Sequence, residues 1–311
     1  MHGTLRFFLA ITVALSHLGL TIYTYNPGVI AVVMFYLLAG MVAYKLNSKK
    51  FPNKAFLYYK DRIKRIFPTY FMVLIFAFVI YLLGAKSYFI SAVPTISDYL
   101  SNIVIIPLSY YMYNNIDKFT LLPPVWSLGV ELQFYILAPF ILLNNKIIKL
   151  SISLSLFIYI LAVVGLLNTD YFAYRLIPGV LFIFLIGAII QKVIEGDLSS
   201  KKILFYLYLL LLFLLGYVYF IDYKAPYNYE TLFGLILGIP ILLLLSSISL
   251  SNYKVVDKYL GNISYPIFLL HFPILWLFEL FIKNPNNYYI ILATLLLSIL
   301  LQNILEKLKL I

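Results

Sequence analysis

Apolar runs of roughly 17 to 25 residues recur along the chain, divided by short polar stretches, and runs of that length match the hydrocarbon thickness of a bilayer. They predict about ten membrane-crossing helices, near residues 5–21, 28–46, 67–84, 126–143, 150–168, 177–194, 203–221, 231–250, 263–282 and 288–305. Asn26-Pro27-Gly28 supplies the turn that sends the chain back after the first run. The stretch 86–124 breaks the pattern. It holds Asp98, Asp117 and Pro94, Pro107, Pro123 and Pro124, and its apolar part, 99–113, is short and proline-interrupted. An extracytoplasmic, partly re-entrant excursion is expected there rather than a span. With no internal repeat or linker, the expected fold class is all-α: a polytopic transmembrane helical bundle forming one domain over 1–311.

Composition strengthens this picture. Hydrophobic residues make up 63% of the 311 and charged ones 11%, whereas soluble domains are about a quarter charged. The net charge of +11 acts first as an orientation signal, because Lys and Arg collect on the cytoplasmic side of membrane loops. The segment 45–65 is crowded with Lys and Arg against the lone acid Asp61, which places it in the cytoplasm together with Arg6 and both termini. Lys86, Lys118, Arg175, Lys224 and Lys283 are the basic residues left outside. Lipid bilayer is the expected surrounding and nucleic acid is not an expected partner. The chain contains no Cys, which excludes disulfides, zinc thiolate sites and cysteine nucleophiles. The first run lacks a strong basic lead and a small-residue cleavage site, so it is expected to be retained as a helix.

Ionisable groups inside apolar helices are costly, and they mark functional sites when they face protein or a water-filled cavity. The run LRFFLAITVALSHLGL, 5–20, carries Arg6 and His17. Their spacing is close to three helical turns, which sets both on one face roughly 16 Å apart. Glu131 lies in the outer half of a span entered from outside, and His271 lies near mid-membrane. Ser127, Glu131 and Tyr135 recur at four-residue steps on one helix face, where the Ser127 hydroxyl is positioned to hold the carboxylate. Either histidine alone reads equally well as a buried imidazole satisfied by a carbonyl. Together with Glu131 they suggest a shared polar cavity, in which His271 is expected as a cavity or packing residue and Ser127 and Tyr135 as cavity or substrate-binding residues. Such a set suits transfer of an activated group onto an alcohol, with a neutral imidazole as base, and it equally suits a proton relay in a transporter or glycan-lipid flippase. On the cytoplasmic side, Arg62-x-x-Arg65-Ile-Phe-Pro68 sets two arginines on adjacent turns against a span expected to start at Pro68. Guanidinium forks match phosphate oxygens, so the pair is a candidate grip for a phosphorylated cytosolic donor.

In this order and spacing the residues resemble the acyltransferase-3 family, integral-membrane enzymes that O-acylate cell-surface carbohydrates and similar acceptors. Arg6 and His17 fit its Arg-x10-His pattern, and GVIAVVMFYLLAGMVAY (28–44) resembles its second span. Arg62, Arg65, Ile66 and Pro68 fit RxxRIxP. WSLGVELQFYILAP (126–139) is similar to WSLxVEEQFY, and LGNISYPIFLLHFPIL (260–275) to LGxxSYxxYLxHxP. The stretch 142–252 matches only as hydrophobic spans. Leu132 stands where the family often has a second acid, Phe7 where it has a small residue, and Phe67 in place of a tyrosine. The resemblance implies transfer of an acyl group, most often acetyl, from cytosolic acyl-CoA to a carbohydrate or glycolipid hydroxyl at the outer face of a cell membrane, the bacterial cytoplasmic membrane being expected. It implies His17 as catalytic base or transient acyl carrier, Glu131 as its orienting or charge-balancing partner, and Arg6, Arg62 and Arg65 on the CoA phosphates, with no metal. The chain ends soon after its last run, so the appended extracytoplasmic domain of some members is not expected.

Overall fold

The computed structural model describes residues 1–248 and 251–310. Among these lie twelve α-helices: α1 (His2–His17), α2 (Pro27–Lys45), α3 (Ala55–Leu82), α4 (Ile96–Val104), α5 (Tyr111–Asn114), α6 (Trp126–Ile141), α7 (Asn145–Val163), α8 (Ile177–Ile194), α9 (Leu198–Phe220), α10 (Asn228–Ser247), α11 (Lys254–Phe281) and α12 (Asn287–Lys307). Nine helical segments among the described residues are long and apolar enough to cross a membrane. α1, with 16 residues, is shorter, at roughly 24 Å. The chain is thus an all-α, multi-pass membrane protein, and its helices follow the apolar runs to within a few residues at most ends.

One start differs. α3 does not begin at Pro68 but runs unbroken from Ala55, with Pro68 inside it. A proline there leaves the carbonyl four residues back, that of Lys64, without its helical N–H. Lys64 is exposed, where water can satisfy that carbonyl. The basic turns before Pro68 therefore extend the span as helix, and Arg62 and Arg65 sit one turn apart on it.

The chain divides into two compact units. The first comprises Met1–His2, Leu20–Tyr59 and Gln133–Lys254. Its centre is α2 against α8, two helices apolar nearly all round and correspondingly buried. They approach at glycines: a Cβ on Gly40 would lie 1.8 Å from the Phe184 carbonyl oxygen, and one on Gly187 2.0 Å from that of Leu37. In a bilayer, where helices gain little from apolar burial against one another, such close backbone packing is the main attraction. The Phe184 ring stacks with those of Tyr36 and Phe134, each at 4.5 Å. Gly40→Ala is expected to push the two helices apart and destabilise the unit by about 1–3 kcal/mol. A thermal-denaturation curve in detergent reads this as a Tm several degrees lower, and an unchanged Tm would refute the close-packing account.

The second unit comprises Gly3–Gly19, Lys60–Leu132 and Val255–Ile311. It holds α1, most of α3, the excursion with α4 and α5, and α11 and α12. As expected of 86–124, α4 and α5 have only nine and four residues, far short of a span. Asn102 is the fastening of this excursion. Fully buried, it donates through Nδ2 to the carbonyls of Asp98 and Phe119 at 2.9 and 3.0 Å and accepts the Leu121 N–H at 2.9 Å, while its own carbonyl accepts the Tyr70 hydroxyl of α3. No period or composition signal marked Asn102, because its partners are backbone groups of a non-helical segment.

Candidate active site

The site is built on α1 and α11, which lie side by side and run in the same direction. At their N-terminal ends Gly3 meets Gly261, a Cβ on the latter falling 2.8 Å from the Gly3 Cα. The first amides of α1 have no partner within their own helix. Asp257 of α11 takes them, accepting the N–H groups of Gly3 at 3.2 Å and Thr4 at 2.8 Å and the Thr4 hydroxyl at 2.8 Å. The carboxylate also faces the positive end of the α1 dipole. At the other end Asn287, the first residue of α12, donates to the Leu18 carbonyl at 2.9 Å, just beyond the last turn of α1. α1 is fixed at both ends, which sets the position of its terminal residue, His17.

There His17 Nδ1 lies 3.0 Å from His271 Nε2, with the two rings parallel to within 7° and their centroids 5.2 Å apart. His271 is 1% exposed and its Nδ1 lies 3.3 Å from the Ile267 carbonyl oxygen, whereas His17 is exposed. This chain of contacts assigns the protons. A carbonyl only accepts, so His271 Nδ1 carries the hydrogen and, in the neutral ring, Nε2 carries the lone pair. His17 must then donate from Nδ1, which leaves the lone pair of its neutral ring on Nε2. An accessible imidazole whose inner nitrogen is held by a buried acceptor has the arrangement of a general base with its orienting group. The sequence placed His271 in a cavity set but not on the His17 ring. The two are 254 residues apart, and no helical period reports such a contact.

The other expected site residues fall as follows. Arg6 lies on α1, half-buried, on the second turn after the Asp257 cap. Arg62 pairs with Asp61 at 2.6 Å. Arg65 donates to Asn262 of α11 at 3.2 Å, and Asn262 donates in turn to Glu306 of α12 at 3.3 Å. Arg6, Arg62 and Arg65 share the second unit with the histidine pair. Glu131 is half-buried on α6 in that same unit. The Ser127 hydroxyl, expected to hold Glu131, instead donates its one proton to the Pro124 carbonyl at 3.0 Å, as helix-start serines do when a carbonyl three residues back is in reach. Tyr135 belongs to the first unit, buried, with its ring edge-on to Tyr58 at 6.3 Å.

The first unit has a concavity of its own, about 620 Å³, lined among others by Tyr44, Asn47, Lys192, Glu195 and Asp197. Its charges are already matched. Glu195 pairs with Lys49 at 3.0 Å, and although burial pushes its carboxyl up, hydrogen bonds from Gln191 and Lys49 hold it below the usual range. The hydroxyls of Ser200 and Ser199 hold Asp197 at about 2, where it caps α9. These groups stabilise loop and helix ends.

Over residues 4–302 the chain matches the family model described as an acyltransferase domain, that of the acyltransferase-3 family. An uncharacterized protein of Aquifex aeolicus is 36% identical over 223 residues, which cover 68% of this chain and 97% of that protein. No solved structure matches. The match runs from the first turn of α1, through the Arg62 and Arg65 turns and the His17–His271 pair, to the last turns of α12, and on that extent the chain belongs to the acyltransferase-3 family of membrane acyltransferases.

Proposed function

We propose that this membrane acyltransferase moves an acyl group, acetyl in the simplest case, from cytosolic acyl-CoA to a hydroxyl of a carbohydrate or glycolipid at the outer face of the bacterial cytoplasmic membrane. The observation that carries this reading is the His17–His271 pair, 3.0 Å apart, with the exposed ring on the buried one. The acceptor hydroxyl gives its proton to His17 Nε2 as its oxygen attacks the thioester carbonyl. The C–S bond breaks, the proton passes from His17 to the departing sulfur, and the products are the O-acyl ester and free CoA thiol. Positive charge developing on His17 meets the negative, C-terminal end of the α1 dipole, where that residue sits. Glu131 is the charge-balancing carboxylate of the same reading.

Arg6, Arg62 and Arg65 are assigned to the CoA phosphates. Arg65 is held by Asn262, so its planar fork is oriented before the donor arrives. Arg65→Ala is expected to raise the KM for acyl-CoA about 10-fold with kcat close to wild type, as loss of one charge-assisted contact to a bound donor requires. Initial rates in membranes over a donor series check this, and an unchanged KM removes the assignment. The overall activity is tested by mass spectrometry of surface glycan from cells with and without the protein. An ester-linked acyl group that depends on the protein is expected, and identical spectra would refute the proposed reaction.

A further inference from the structure

The excursion reaches the histidine pair through two aromatic contacts. The Phe272 ring lies 5.1 Å from the rings of both His17 and His271, and Phe89 of the excursion meets Phe272 edge-on at 5.6 Å and 84°. Phe89 is fixed by its backbone. Its carbonyl accepts the Thr120 N–H at 2.7 Å, Ile90 bridges Phe119, and the Ala92 N–H donates to Lys118 at 3.1 Å. Asn102 ties the 119–121 side of this pairing to α3 through Tyr70, so the ring sits on a rigid support. Phe89 is only half-buried. Beside it, Tyr88 is 60% exposed and donates its hydroxyl to the Asp117 carboxylate at 2.5 Å. Asp117, as acceptor and as negative charge, raises the Tyr88 pKa and keeps the phenol protonated.

The Tyr88 ring lies edge-on to Phe89 at 5.5 Å, and an accessible aromatic ring flanked by a phenol that carries a carboxylate on its hydroxyl recognises a ring that is apolar on its C–H faces and hydroxylated at its edge. A hydrocarbon acceptor would leave Asp117 facing apolar chain, and an anionic one would be repelled by it. We infer that Phe89, rimmed by Tyr88 and Asp117, forms the acceptor subsite, on which one sugar ring stacks so that its neighbouring hydroxyl is presented to His17. The inference rests on the reading of the histidine pair as the reaction centre.

The test uses membranes containing the full chain, acetyl-CoA as donor and, as acceptor, the material that gains the ester in cells, de-esterified by mild base. An ester label on a non-carbohydrate acceptor overturns the inference at once. Phe89→Ala and Phe89→Leu are each expected to raise the acceptor KM about 10-fold, leaving the donor KM and kcat unchanged, while Phe89→Trp stays within about threefold of wild type. The leucine variant retains apolar packing against Phe272, so the contrast between leucine and tryptophan separates stacking from folding. Asp117→Asn is expected to raise the acceptor KM by about 3- to 10-fold. A wild-type acceptor KM in both Phe89→Ala and Phe89→Leu, or a fall in kcat alone, overturns the subsite while leaving the histidine pair intact. Transfer that survives His17→Ala overturns the pair, and the subsite with it.

Discussion

Replacing His17 with alanine is expected to lower kcat for acyl transfer by about 10³-fold or more, with the protein still inserted and its helices intact. The size follows from what is removed. The acceptor hydroxyl is a poor nucleophile with its proton in place, and His17 Nε2 is the lone pair that the hydrogen-bond chain from the Ile267 carbonyl through His271 directs toward it. The fold has little to lose, because His17 is exposed at the last turn of α1 and that helix is fixed independently by Asp257 and Asn287. Single-turnover measurements with labelled acetyl-CoA, alongside a thermal-denaturation curve, separate the two effects. Near wild-type turnover in His17→Ala would remove the histidine from the chemistry. A proton-relay transporter makes the opposite prediction at the substrate level, since its flux needs no acyl donor and follows a pH gradient.

The spans were readable because each must bury about twenty apolar residues, and nothing in the chain competes with that signal. Pro68 misled because the usual place for proline in a helix is its first turn, whereas here the helix continues through it, the carbonyl left without an N–H being that of the exposed Lys64. His17, Arg62 and Arg65 stood out because charge in an apolar chain is conspicuous and because their spacing is local. What joins them is not local. Asp257 capping α1, Asn262 holding Arg65 and His271 on His17 are contacts across about 200 residues or more, made by residues that look ordinary in their own helices. The Gly3–Gly261 contact that makes this alignment possible was equally invisible, since a glycine reports a close approach only when its partner is known. The excursion was recognised by its prolines as something other than a span. Its Asn102 clip joins one side chain to backbone groups of a non-helical segment, and Phe89 is placed against Phe272 by backbone pairing, so neither leaves a periodic side-chain pattern.

His271→Leu is expected to lower kcat by about 10²-fold, the second largest effect, with the acyl-CoA KM unchanged. Leucine fills much of the same space, so the buried wall behind His17 is kept, but it cannot accept the Nδ1–H. His17 then loses the group that selects its tautomer and holds its ring parallel to the α11 side chain, and the lone pair no longer stays on Nε2 in a fixed direction. The loss is smaller than for His17→Ala because the base itself remains, only less often in the productive tautomer and rotamer. Glutamine at 271 restores an acceptor oxygen at similar reach, and His271→Gln is therefore expected to recover about a tenth or more of the wild-type kcat. A packing role would rank the variants by size, with leucine and glutamine alike. An orienting role ranks them by hydrogen-bond acceptance, and kcat for the two variants, measured at saturating donor and acceptor, decides between these: equal values refute the orienting role.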